Sequence, residues 1–265
     1  MSTNKGPKCL VLDIETLPIV AEVWDTWDQN IGLNQIVEDW TVGAWAAKWL
    51  HAPASEMMYM DQRNIKNIRD DKALLKIIWE LLDAADIVIT QNGKKFDIKK
   101  LNTRFILNGM LPPSSFRQID TLVIAKKIGA FTSNKLEYLT DKICTKYKKL
   151  KHTKYPGHSL WRECRKGNRD AWKHMERYNK HDVLSTEELY TKLQAWDQSI
   201  NFNVYGDFKQ HVCNCGSKKT KKKGFAYASA GKYQRYICLK CGANVTDKVN
   251  LLTTVERKQL KKGGS

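Results

Sequence analysis

Residues 8–16 read KCLVLDIET, and how this stretch is taken decides the fold. Lys8 to Asp13 is a continuous apolar run closing on an acid, the mark of a strand buried on both faces. Asp13 and Glu15 stand at i and i+2 at the end of that strand, so both carboxylates leave the same face. Two carboxylates there are costly unless a cation neutralises them. A surface turn is the competing reading of the pair, and the apolar run before it weakens that reading.

Working outward, Val42–Leu50 and Glu56–Asp61 read as two further strands. Asp71–Ala85 (DKALLKIIWELLDAA) carries apolar residues at helical spacing behind an acidic start. Ala85–Thr90 (ADIVIT) reads as a second buried strand, closed by the turn pair Asn92-Gly93. Phe96–Gly109 reads as a helix that stops at glycine before Pro112-Pro113. Ile119–Val123 suits a short strand, Lys135–Ile143 a helix, and Asn168–Trp196 one long helix. Early strands followed by alternating helices and strands imply an α/β fold on a mixed sheet.

Two further acids join the pair. QNGKKFD places Asn92, Phe96 and Asp97 straight after the second buried strand. On the long helix Tyr178 and Asp182 stand at i and i+4, on one face. His181, next to Asp182, is turned away by about 100° of arc. Four carboxylates from two strand ends and two helices are the oxygen-rich set that a pair of Mg2+ or Mn2+ ions requires.

The net charge of +17 is uneven: from Gly206 to Ser265 there are 14 Lys/Arg against three acids. Such a surface suits a polyanion, above all nucleic acid. No window of about 20 apolar residues is available to span a bilayer, and the N-terminal apolar run is too short for a signal peptide. Cys9, Cys144 and Cys164 are scattered, as suits a reducing cytoplasm. The other four cysteines form two knuckles, Cys213-Asn-Cys215-Gly and Cys238-Leu-Lys-Cys241-Gly, which suit a structural zinc ion in a segment too small for its own core. Between them lies a basic hairpin interleaved with Tyr227, Tyr233 and Tyr236, suited to single-stranded nucleic acid.

LDIET, NGKKFD and YNKHD, in this order, resemble the three motifs of the DEDD 3′–5′ exonucleases, in their tyrosine subclass. WDQNIGLNQI, WAAKWL, FTSNKLEYL and GKYQRYICLKCG extend the likeness to phage and bacterial exonucleases related to the proofreading domain of family B DNA polymerases. The resemblance implies a ribonuclease H-like mixed sheet flanked by helices over residues 1–205, a zinc ribbon over 206–250 and a basic tail over 251–265. It implies removal of nucleotides from DNA 3′ ends, in the bacterial or infected cell's cytoplasm, beside a DNA polymerase or other replication protein. Trimming of RNA ends is the alternative, and a non-catalytic nucleic-acid-binding module a third.

Carried over by residue, Asp13, Glu15, Asp97 and Asp182 become ligands of two Mg2+ or Mn2+ ions, and Tyr178 orients the attacking water. Asp13, Glu15 and Asp182 would hold one ion and Asp13 the other, with Asp97 holding the latter's hydration shell. The histidine subclass requires His where this chain has Arg177, so His181 does not fill that role. Cys213, Cys215, Cys238 and Cys241 become the zinc ligands. The family pattern has two residues inside the first knuckle where this chain has one, which leaves His211 as an alternative ligand.

Asn92, Phe96, Lys126, Lys127, Asn134 and Lys135, with Lys221, Lys222, Lys223, Tyr233 and Arg235 in the ribbon, are the candidate nucleic-acid contacts. For Phe96 a helix anchor is the competing role, and for the lysine-rich loop a solvated surface. Asp120 reads as a structural hydrogen-bonding acid. Trp24, Trp27 and Trp45 read as packing groups.

Overall fold

In the computed structural model, residues 6–150, 154–197, 199–206 and 212–260 are described. The chain divides into two compact units, one spanning Lys8–Tyr190 and the other carried by the chain from Thr191 onward.

The first unit is built on β1 (Cys9–Leu17), the short pair β2 (Val20–Ala21) and β3 (Ile36–Glu38), β4 (Thr41–Trp49) and β5 (Met58–Asp61). Then follow α1 (Lys72–Asp83), β6 (Ile87–Thr90), α2 (Asp97–Leu107), β7 (Arg117–Asp120), α3 (Thr121–Ile128), α4 (Leu136–Ile143), α5 (Ser159–Arg165) and α6 (Arg169–Leu193). The five-stranded sheet has the order β5-β4-β1-β6-β7. β1 pairs antiparallel with β4 and parallel with β6, so the sheet is mixed, as expected.

β1 lies at the centre of the sheet, and its alternation divides the core. Leu10, Leu12 and Ile14 pack with Leu74, Leu75, Ile78 and Leu82 of α1 and Leu101 and Phe105 of α2. Leu17, from the other face, packs with Leu160 and Cys164 of α5 and Ala171, Trp172 and Met175 of α6. Asp13 and Glu15 share the Leu17 parity and therefore face the α6 side. Buried Lys48 of β4 ties α6 to the sheet, reaching Glu187 Oε2 at 2.7 Å and donating to the Ala52 carbonyl at 2.6 Å.

Several expectations need correction. β1 does not end at Asp13: its ladder with β4 continues to Leu17, because the backbone groups of Asp13 and Glu15 are paired although their side chains are acidic. The strand expected at Ile119–Val123 is Arg117–Asp120. Asp120 then caps α3, accepting from the N–H groups of Leu122 and Val123 at 3.0 and 3.4 Å. At the acidic start of α1, the buried carboxylate of Asp71 receives Arg104 and the Val42 N–H. Trp45 is core, but Trp24 and Trp27 are 100% and 82% exposed and pack against nothing that buries them. α5 had no signal in the sequence reading.

The second unit holds a three-stranded sheet of β8 (Thr220–Ala228), β9 (Gly231–Cys238) and β10 (Asn244–Asn250), followed by α7 (Thr254–Gln259). No helix among the described residues is long and apolar enough to cross a membrane.

Candidate active site

The first unit gathers four acids, Asp97 and Asp182 buried and Asp13 and Glu15 half-buried. The β1–β6 ladder closes at Val11–Ile89, and β6 ends one residue later. The chain turns through Asn92, whose φ of 67° is left-handed, and Gly93, where a Cβ would stand 2.2 Å from Thr90 Oγ1. That tight turn returns Asp97 to β1 beyond the end of β6. There its Oδ1 accepts the Ile14 N–H at 3.0 Å.

α6 supplies the rest. Tyr178 and Asp182, one turn apart, are both buried and within electrostatic reach of each other. Asn179 donates to Asp13 Oδ2 at 2.6 Å and to the Asp13 carbonyl at 3.1 Å. From α5, Trp161 Nε1 donates to Glu15 Oε2 at 3.0 Å. Lys149 Nζ donates to Asp182 Oδ2 at 2.6 Å and lies 4.7 Å from the Tyr178 ring centroid. Glu188 fixes the approach to Lys149 by accepting from the N–H groups of Thr145, Lys146 and Tyr147.

Crowding these acids out of water shifts their protonation. Burial, then the charges of Asp182, Asp97 and Glu15, drive Asp13 well above the carboxylate range. Burial and the Asp182 charge push Glu15 up to about 8. Burial takes Asp97 to about 7 despite the hydrogen bond from Ile14. Burial also raises Asp182, against the lowering influence of Lys149. For Lys149 burial works the other way, yet the Asp182 charge wins and holds the ammonium on. Burial and Asp182 raise Tyr178, so its hydroxyl keeps its proton and acts as a donor.

The residues fit a hard divalent cation. Burial and mutual charge raise four oxygen-donor acids, and Asp182 Oδ1 is buried with no hydrogen-bond partner. The carboxylates are held by Asn179, Ile14, Trp161 and Lys149 rather than gathered on one point. Among the described residues only the cysteines bring three or more His, Cys, Asp or Glu ligand atoms within 4.8 Å of one another.

The other expected contacts are dispersed. Asn92 N–H donates to Asp120 Oδ1 at 2.9 Å, and Lys94 N–H to Oδ2 at 3.2 Å, so Asp120 serves main-chain groups. Phe96 is exposed just ahead of Asp97, with Lys100 Nζ 5.9 Å from its ring and 3.7 Å from that of Trp40. Lys126 and Lys127 end α3, and Lys135 precedes α4, all exposed. Asn134 accepts from Gln91 through its carbonyl. His181 turns its Nε2 to the Lys148 carbonyl and its ring edge-on to Tyr147, away from the four acids.

In the second unit Cys213 and Cys241 sulfurs lie 3.5 Å apart and Cys215 and Cys238 sulfurs 3.8 Å apart. A tetrahedron of ~2.3 Å metal–sulfur bonds has edges of about 3.8 Å. The short first knuckle therefore still brings Cys215 into the group. A hydrogen bond from Cys213 lowers the Cys215 thiol to about 5. His211 lies outside the described residues, as do Lys261–Ser265 of the tail.

Lys149, Trp161 and Asn179 were missed by sequence reasoning. Asn179 stands inside the YNKHD motif, so the motif itself was its signal. Lys149 sits in a lysine run and Trp161 in a helix without a motif, and neither had one.

Comparison with known proteins gives the family. The DNA polymerase III PolC-type of Ureaplasma parvum serovar 3 (strain ATCC 700970) is 36% identical over 88 residues, 33% of this chain and 6% of that polymerase. The family B DNA polymerase from the hyperthermophilic archaeon Pyrobaculum calidifontis is 17% identical, with a TM-score of 0.49 over 72% of this chain and 25% of that one. At that score the structural likeness adds nothing to the assignment. The chain spans a quarter or less of either polymerase. Residues 36–194 match the RNase_H superfamily, a span that runs from β3 through the end of α6 and so takes in Asp97, Tyr178 and Asp182. With more than half of its length in that match and a mixed sheet carrying the acids, this chain belongs to the RNase_H superfamily.

Proposed function

We propose that the protein is a metal-dependent 3′–5′ exonuclease acting on DNA, with single-stranded or frayed ends as substrate. The convergence of Asp13, Glu15, Asp97 and Asp182 with Tyr178 within electrostatic reach of one another carries the reading. The match to a polymerase of the PolC type supports it and suggests a role in phage or bacterial replication, beside a polymerase in trans.

Asp13, Glu15 and Asp182, with Asp97, would hold two Mg2+ or Mn2+ ions. Bound there, the ions would supply Lewis-acid activation of water and neutralise charge at the leaving oxygen. The chain's own groups set the geometry. Asn179 and Trp161 orient the Asp13 and Glu15 carboxylates through single oxygens, Oδ2 and Oε2. Tyr178, protonated, directs the attacking water by hydrogen bonding rather than by taking its proton. In the second unit the four cysteines would hold a structural zinc ion.

The test uses DNA and RNA strands labelled separately at each end, with Mg2+ or Mn2+. A ladder shortening from the 3′ end of DNA, absent in Asp13→Ala and slowed in Tyr178→Phe, is expected. Internal cuts, or full activity of purified Asp13→Ala, overturn the proposal. Equal shortening of RNA assigns the alternative substrate, since the same acids hydrolyse either sugar type.

A further inference from the structure

In an antiparallel ladder, directly opposed residues project from the same face. β8 and β9 pair Tyr227 with Lys232, Phe225 with Gln234 and Lys222 with Tyr236, and β10 adds Val245 opposite Tyr236. These residues form one face of the ribbon. Lys221, Ala226, Tyr233, Arg235 and Ile237 form the other.

Simple alternation from Phe225 would put Lys222 on the far side. The register shift between Lys222 and Phe225, at Gly224 with φ 67°, inserts one residue and brings Lys222 round to the Phe225 face. The five ribbon residues expected to meet nucleic acid are thus divided. Lys222 stands on one face and Lys221, Tyr233 and Arg235 on the other, while Lys223 falls within the register shift.

The Lys222 face carries the accessible rings. Tyr227 is 74% and Phe225 37% exposed, and Lys232 Nζ lies 4.2 Å from the Phe225 ring centroid. From Lys218 to Lys248 there are nine Lys/Arg and one acid, Asp247, which accepts from the Tyr236 hydroxyl at 3.2 Å. Glu256 of α7 also acts on Lys232 electrostatically, with its carboxylate engaged by the Thr253 cap. Charge therefore favours a polyanion, and the rings favour one with open π-faces.

Phe225 and Tyr227 are two residues apart, ~6.8 Å along the strand. Stacked duplex bases are about 3.4 Å apart and present edges rather than faces. Each ring can take its own base only from an unpaired, extended strand.

We propose that the face bearing Phe225, Tyr227, Lys222 and Lys232 binds single-stranded nucleic acid, the rings stacking on unpaired bases and the lysines meeting the backbone. This refines the nucleic-acid partner named above, but its test needs no cleavage and fails or stands separately from the nuclease reading.

The experiment is fluorescence anisotropy of the full-length, zinc-loaded protein, without added Mg2+ or Mn2+, on a labelled oligothymidylate of about 20 nucleotides and a duplex of equal length. Phe225→Ala/Tyr227→Ala is expected to weaken single-strand binding about 10- to 100-fold. Duplex binding should stay within about two-fold, as should single-strand binding by Tyr233→Ala. Lys222→Gln/Lys232→Gln should reduce the log–log salt slope by about 1.4. Tyr227→Ala alone, at an exposed position, tests the reading should the double variant lose its zinc. Wild-type affinity in folded, zinc-retaining Tyr227→Ala and Phe225→Ala/Tyr227→Ala overturns the proposal. So does equal loss on duplex, or equal loss in Tyr233→Ala. Absence of nucleic-acid binding by the wild type also overturns it and leaves the face to a protein partner.

Discussion

Lys149→Met removes the ammonium that donates to Asp182. The pair is 2.6 Å apart and its acid is almost wholly buried. At an effective dielectric of about 20 the attraction is on the order of 6 kcal/mol, mostly offset by desolvation. Breaking one side of such a pair costs about 3–5 kcal/mol because a buried charge is left uncompensated. For a unit of this size each kcal/mol lowers Tm by about 2–4 °C, so a fall of about 6–20 °C is expected in metal-free buffer at pH 7.5. The loss should shrink as the pH falls and Asp182, raised by burial, takes up a proton. Mn2+ should recover more stability in the variant than in the wild type, because the ion replaces the missing charge and no longer competes with it. Differential scanning fluorimetry across pH, with and without Mn2+, reads all three effects. A variant within about 2 °C of wild type at pH 7.5, or a deficit that Mn2+ leaves untouched, refutes the idea that Lys149 balances the acid cluster.

The acid cluster should invert the usual pH dependence of stability. A carboxyl whose folded pKa is raised keeps its proton in the folded state after the unfolded chain has lost it. Glu15, raised to about 8, therefore stabilises the metal-free protein below about pH 4.5 and costs progressively more as pH rises to 8. Taken alone this amounts to roughly 4–5 kcal/mol, and saturating Mn2+ should flatten the slope; a metal-free Tm that climbs from pH 5 to 8 contradicts it. Trp161→Phe should raise the Mn2+ concentration needed for half-maximal binding by about 10-fold in calorimetry, within the range seen when a ligand's supporting contact is lost. Unchanged Mn2+ affinity would mean that Glu15 needs no such support. Removing zinc with a strong chelator should unfold the cysteine-bearing ribbon while leaving the far-UV signal of the larger unit, and metal analysis should find about one zinc per chain. Less than about half an equivalent, in protein never exposed to chelator, counts against a zinc site.

Patterns local in sequence were legible. The apolar run at Cys9–Leu12 and the spacing of Leu74, Leu75, Ile78 and Leu82 announce a buried strand and a helix packed on it, because burial on one side leaves its period in the chain. The i, i+4 spacing of Tyr178 and Asp182 likewise survives in the structure as a buried pair on one face of α6. The misreadings share one cause: a polar side chain does not say what its own backbone is doing. Asp13 and Glu15 suggested a strand end although their main chain stays in the ladder to Leu17. Asp120 suggested a strand interior although it begins a helix. The contacts of Lys149, Trp161 and Asn179 join residues 33, 146 and 166 positions apart, and no periodicity encodes them. Trp24 and Trp27 show the limit of composition, since aromatic bulk alone does not say which face meets the core.

That Asp13 and Glu15 ride within β1, the middle of five strands, has a consequence for motion. A central strand exchanges its amide hydrogens only when the sheet as a whole comes apart, so these two acids sit in the slowest-exchanging part of the fold. Lys149 approaches from a stretch without helix or strand, anchored through Glu188. Any adjustment at the site therefore falls to the lysine side, while the strand side serves as its fixed jaw.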